Sequence, residues 1–89
     1  PEPKLIQALK IIKESNGKLS KKEMARLCLD KKLITINAEN ESQATFASLD
    51  QNIISPLEKK WGFIEVEKIG RTRWIKITDE GINASEFLI

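Results

Sequence analysis

The sequence predicts a small α+β domain, mainly α with a β-hairpin: three helices, a two-stranded ribbon and a short C-terminal helix. Three observations carry this expectation. Up to Lys60 the apolar residues recur at three- and four-residue spacing in blocks separated by glycine and polar caps. Between Trp61 and Gly81 the spacing becomes two. Ile64 and Val66 alternate with Glu65 and Glu67, and Ile75 and Ile77 alternate with Trp74 and Lys76. Beyond the ribbon, Thr78-Asp79-Glu80 has the form of a helix cap with an acidic first turn, leading into a short apolar segment from Ile82 to Ile89.

Eighty-nine residues give one domain, spanning 1–89, with room for a single modest core. A hydrophobic content of 40% with 31% charged residues is that of a folded globular chain. No apolar run approaches the roughly 20 residues that span a bilayer, and no signal-peptide pattern opens the chain, so a cytoplasmic location is expected. The chain starts at Pro1 rather than methionine, which fits a processed chain or a segment of a longer protein. A lone cysteine and no histidine leave no zinc site of the usual kind and no internal disulfide; Cys28 is expected in the core. The same inventory argues against an enzyme: no base activates the cysteine, and no glycine-rich phosphate loop or paired-carboxylate constellation appears. No cofactor or metal is expected.

The first helix should run from Lys4 to about Asn16, burying Leu5, Ile6, Ala8, Leu9, Ile11 and Ile12 and ending at Asn16-Gly17. Ser20-Lys21-Lys22-Glu23 has the form of a capping box and opens a second helix to about Lys32, burying Met24, Leu27 and Cys28. Leu33 to Ile36 reads either as a brief strand or as a connection. Asn40 is a fitting N-cap for a third helix beginning near Glu41, with Phe46, Leu49, Ile53 and Leu57 as its buried stripe. Its opposite side carries Ala44, Ser48, Gln51 and Ser55, with Asn52 beside them. Pro56 either kinks this helix or ends it near Ile54, with a short helix following. In the ribbon, Gly70 supplies the positive φ of the turn. Trp61 is expected in half-buried core, and Trp74 against a neighbouring element. Gly81, unfavourable within a helix, is expected to mark a close approach of two segments.

Charge is unevenly placed although the net is only +2. Lys18 to Lys32 carries six basic residues against Glu23 and Asp30, Leu33 to Glu58 carries none, and Lys68, Arg71, Arg73 and Lys76 surround the hairpin turn without an acidic residue from Lys68 to Thr78. Two cationic patches in a nearly balanced chain point to a polyanion.

Helix, helix, helix, hairpin, short helix is the order of a winged helix-turn-helix. The run Leu57-Glu58-Lys59-Lys60-Trp61-Gly62-Phe63-Ile64, the hairpin and Ile77-Thr78-Asp79-Glu80-Gly81 resemble the recognition-helix end, wing and post-wing turn of MarR-like winged-helix regulators. The resemblance implies that the third helix enters the major groove, with Gln43, Thr45, Ser48, Gln51 and Asn52 as candidate base or phosphate contacts. Arg71 and Arg73 take the wing position, and Ser20, Lys21 and Lys22 meet a flanking phosphate. Lys59, at the end of the third helix, and Lys68, entering the turn, complete the candidate DNA-binding residues. Before Lys59 the reading helix carries no cation, while Glu41, Asp50 and Glu58 are acidic, so attraction must come from its neighbours.

The expected function is sequence-directed binding of double-stranded DNA in transcriptional regulation. Two other readings stand beside it: a winged-helix protein-protein adaptor docking a basic partner, and the DNA-specificity module of a larger nuclease or DNA-processing protein. A homodimer is a further expectation, built on the apolar tail Ile82, Phe87, Leu88 and Ile89 with the first helix.

Overall fold

The computed structural model describes residues 2–35 and 46–86. Helix α1 spans Pro3–Glu14, with proline where a missing N–H costs nothing, and buries the six apolar residues expected of it. Asn16 (φ 62°) and Gly17 (φ 80°) turn the chain, and the Gly17 amide donates to the Ile12 carbonyl at 2.9 Å. Strand β1, Lys18–Ser20, follows, then helix α2, Lys21–Asp30. The Ser20 hydroxyl caps α2 by accepting from the Glu23 amide at 3.1 Å. The other half of the expected capping box is different: the Glu23 carboxylate accepts from Arg26, whose guanidinium is the nearer and stronger donor.

After α2, Leu33 to Thr35 are a connection rather than a strand, dropping Ile34 into the core. The expected cap at Asn40 and helix start at Glu41 lie outside the described residues. Helix α3 is described over 46–60 and runs unbroken through Pro56. Neither a break near Ile54 nor a separate short helix occurs. Instead Asp50–Ile54 and Pro56–Lys60 are wound more widely, with bonds between residues five apart: Ser55 N–H to Asp50 O, and Trp61 N–H to Pro56 O at 3.1 Å. In an α-helix the Pro56 ring would crowd the carbonyl of residue 52; the wider turn relieves this, and Ser55 keeps helical angles (φ −60°, ψ −48°) although it precedes a proline.

Strands β2, Ile64–Ile69, and β3, Thr72–Ile77, form the wing, and helix α4, Asp79–Ser85, closes the described chain. The antiparallel sheet has the order β1-β3-β2, so β3 is central. Ile64 faces Ile77 and Val66 faces Ile75 across the hairpin, the inward pairs the alternation predicts. On the outer face Glu65 opposes Lys76 and Glu67 opposes Trp74. Strand β1 is a finding the sequence reading lacks: Lys18, Leu19 and Ser20 pair with Lys76, Ile75 and Trp74. As expected, Trp74 is half-buried against a neighbour, beside Ser20 and with the Lys18 ammonium 5.4 Å from its ring centroid.

Leu9, Ile12, Met24, Cys28, Leu49, Ile53, Leu57 and Ile75 form the centre of one core, each fully buried. Trp61 is not part of it. At 38% exposed it stands at the end of α3, stacked on Phe63 at 5.6 Å between centroids. Gly62 (φ 68°) reverses the chain there, and Phe63, whose amide donates to the Leu57 carbonyl at 2.8 Å, packs against the core instead. The apolar residues of α1 are buried within the domain, and α4 packs on α1 with an exposed Lys13–Glu86 ion pair at 3.5 Å. Of the surface proposed for a homodimer, Phe87, Leu88 and Ile89 lie outside the described residues. Among the described residues no helix is long and apolar enough to cross a membrane.

Thr78 joins the wing to α4. Its hydroxyl donates to the Gly62 carbonyl at 2.8 Å and accepts from the Gly81 amide at 3.1 Å, and its amide donates to the Phe63 carbonyl at 2.9 Å. This draws Gly81 against the backbone of Phe63, the close approach expected of it: a Cβ there would overlap the Phe63 carbonyl oxygen and stand 2.7 Å from Ile77 Cγ1. Gly81→Ala should therefore lower stability by about 3 kcal/mol, since backbone must move. Gly62→Ala, with open space around its Cβ, should lower it by only about 1 kcal/mol for the left-handed φ; denaturant midpoints compare the two. Burial pushes the Cys28 thiol from 9.0 up to about 12. Because folding excludes the thiolate, the Cys28 contribution to stability should be constant below about pH 9 and fall as pH rises from there towards 12. A thiol reagent at neutral pH should label Cys28 only as fast as the domain opens.

Candidate nucleic-acid interface

Strand pairing brings the two cationic patches together. Because Ser20 opposes Trp74 on the central strand, the first residues of α2 emerge beside the base of the wing. Lys21, Lys22, Phe46, Arg71, Thr72 and Arg73 line one cleft of about 350 Å³, and no carboxylate is among them. Patches separated by about fifty residues in sequence thus share one surface.

The wing is shaped for this. Gly70 (φ 62°) occupies the first central position of a two-residue turn closed by the Ile69–Thr72 pair, and Arg71 follows it without a positive φ, as a type II′ turn requires. Along the strands, Lys68 and Arg73 continue the inward row of Ile64, Val66, Ile75 and Ile77 beyond the edge of the core. They stand directly opposite each other. Like charges in that position oppose hairpin formation, so the pair is unfavourable for the isolated domain. Among the described residues neither Lys68 nor Arg71 nor Arg73 forms an ion pair.

A second cleft of about 230 Å³ lies between α3 and the sheet, lined by Lys21, Asp50, Ile54, Ser55, Glu58, Lys59, Val66, Arg73 and Ile75. Lys59 is thereby placed with Arg73. Lys21 and Arg73 belong to both clefts, but they differ in state. The Lys21 ammonium is 2.7 Å from Asp50 Oδ2 and 5.3 Å from the Phe46 ring centroid, with its side chain 17% exposed. It is a paired charge, not the free phosphate anchor its position in the sequence suggests. Asp50 comes from 29 residues away in the chain, and no local pattern announces it.

The uncharged residues of α3 divide differently. Gln51 and Asn52 face away from the wing, lining a cleft with Glu2, Lys4, Leu5, Pro56, Lys60 and Trp61. Asn52 donates to the Ser48 carbonyl at 3.0 Å and to its hydroxyl at 3.3 Å, so both side chains are engaged within the helix. Gln43 and Thr45 lie outside the described residues. Ser20 Oγ accepts from the Glu23 amide, which leaves its proton available to a ligand. On the far side of α2, Arg26 binds Glu23 and lies 3.8 Å from Asp30, and its hydrogen bond holds the Glu23 carboxyl below its ordinary value. Phe46 and Thr72, both in the first cleft, are residues that sequence reasoning missed; only the folded register places them there. Among the described residues no group of three or more His, Cys, Asp or Glu is placed to hold a metal ion.

The chain matches the family model of the DUF6293 C-terminal winged helix domain over residues 4–89 and belongs to that family. The observed order of helices, three-stranded sheet and wing is that fold. No curated protein and no solved structure matches the chain.

Proposed function

We propose that this winged-helix domain binds double-stranded DNA, in transcriptional regulation of the kind served by MarR-like regulators. The observation that carries this reading is the opposed pair Lys68–Arg73, with Arg73 lining one cleft together with Arg71 and Lys22, a lining that includes no carboxylate. A domain folding only for its own stability has no use for that arrangement, whereas a phosphate backbone turns the repulsion into attraction.

In this reading the wing cations and Lys22 hold consecutive phosphates, and the Ser20 hydroxyl donates to one of them. Helix α3 adds Ser55 and Lys59, which line the neighbouring cleft with Arg73. Base selection by the Gln51 and Asn52 amides requires the duplex to reach the flank of α3 opposite the wing, so phosphate contacts dominate affinity. Adjacency of the two basic patches favours the duplex over a protein adaptor, for which cations on separate faces would serve equally well.

Neutralisation of phosphates by Lys22, Lys68, Arg71 and Arg73 gives a slope of log affinity against log salt of about −3.6, from roughly 0.9 per contact. In a salt titration with random-sequence duplex, Arg71→Ala with Arg73→Ala should make that slope shallower by about 1.8 and weaken binding at every salt concentration tested. Unchanged affinity and slope in the double variant would remove the wing from the interface.

A further inference from the structure

The Lys21–Asp50 pair has a position that a structural ion pair does not need. Lys21 is the first residue of α2, where the helix field favours an anion over a cation. The Asp50 carboxylate comes to this end of α2 from the third helix and takes the Lys21 ammonium at 2.7 Å. Lys21 is common to both clefts, as Arg73 is, and Asp50 lines the one between α3 and the sheet. Although the Lys21 side chain is mostly covered, Asp50 is 49% exposed at its side chain, so solvent screens the pair and limits what it adds to stability. What the carboxylate does is occupy the ammonium that a phosphate approaching Lys22 and Arg71 would otherwise reach.

We infer that Asp50 is an internal competitor for DNA phosphate: it masks Lys21, lowers indiscriminate affinity for duplex, and so sets how much of the binding must come from the remaining contacts. This rests on the duplex-binding reading and adds to it a residue that tunes specificity without touching a base. Lys21 is held between the carboxylate and the Phe46 ring, already positioned at the cleft wall. Removing the negative charge alone leaves a cation ready for phosphate, at no cost in rearrangement. Repulsion of phosphate by Asp50 would also weaken binding, but that effect does not depend on Lys21, and this difference makes the masking testable.

The experiment is a salt titration of random-sequence duplex, followed by fluorescence anisotropy, for the wild-type chain, Asp50→Asn, Lys21→Gln and the double variant, each checked by thermal melting. One further phosphate neutralised steepens the slope by about 0.9, which at 0.1 M salt corresponds to roughly eightfold tighter binding. Asp50→Asn should show both changes, and Asp50→Ser, which lacks the amide, should show them too. Lys21→Gln alone should leave the slope near that of wild type, and the double variant should lose the gain. A gain that persists in the double variant shows simple repulsion and overturns the masking. So does a slope that falls by about one in Lys21→Gln alone, or Asp50 variants that bind no tighter than wild type. Absence of duplex binding by wild type and Asp50→Asn alike would instead refute the duplex reading itself.

Discussion

Three residues of backbone pairing determine where everything else stands. Lys18, Leu19 and Ser20 lie antiparallel on β3, and Leu19 is buried opposite Ile75. Because β1 runs directly into α2, the pairing fixes the start of that helix against the wing. The opposite edge of β3 carries β2, so the base of the wing is anchored on β1 through Trp74 to Lys76 and its tip projects beyond the core. The Gly17 carbonyl, which accepts from the Ile77 amide at 2.9 Å, extends the tie by one further bond. Without it α2 and the hairpin would be joined only through side chains, and the two cationic patches would have no fixed relation.

Around that frame the charges sort into those satisfied within the domain and those that are not. Arg26 is engaged by Glu23, Lys13 by Glu86, Lys4 by Glu2 and Lys21 by Asp50. Lys22, Lys68, Arg71 and Arg73 form no ion pair among the described residues, and three of them line one cleft. A net charge of +2 conceals this, since what matters to a polyanion is the local field and not the total. The buried rows of the sheet stabilise the wing well enough for the opposed Lys68 and Arg73 to be tolerated: Ile64, Ile75 and Ile77 are each under a tenth exposed.

Much of the fold was legible because it is local. Apolar spacing placed α1 and α2 to within two residues of their ends, alternation set the hairpin register, and Gly81 declared a close approach by being the wrong residue for its helix. What escaped was non-local or depended on winding. Strand β1 is too short for a period and exists only through a partner more than fifty residues away. The stop that Pro56 offers in the sequence does not occur, because a wider helical turn accommodates the ring. The sequence predicts half-buried core at Trp61, yet Gly62 reverses the chain so that Phe63 packs there. For the candidate interface, sequence identified the wing cations and Lys22 as a set. It could not show that Lys21 meets Asp50, or that Asn52 turns back on Ser48.

The central claim is that the α2 start and the wing tip contact one ligand together. A heteronuclear NMR titration of the chain with a short random-sequence duplex tests it most directly. The account predicts that the amides of Lys21, Lys22, Gly70, Arg71 and Arg73 shift along one common binding curve while those of α1 and α4 stay in place. Shifts confined to α1 and the Trp61 flank, or separate curves for the α2 and wing amides, would contradict it.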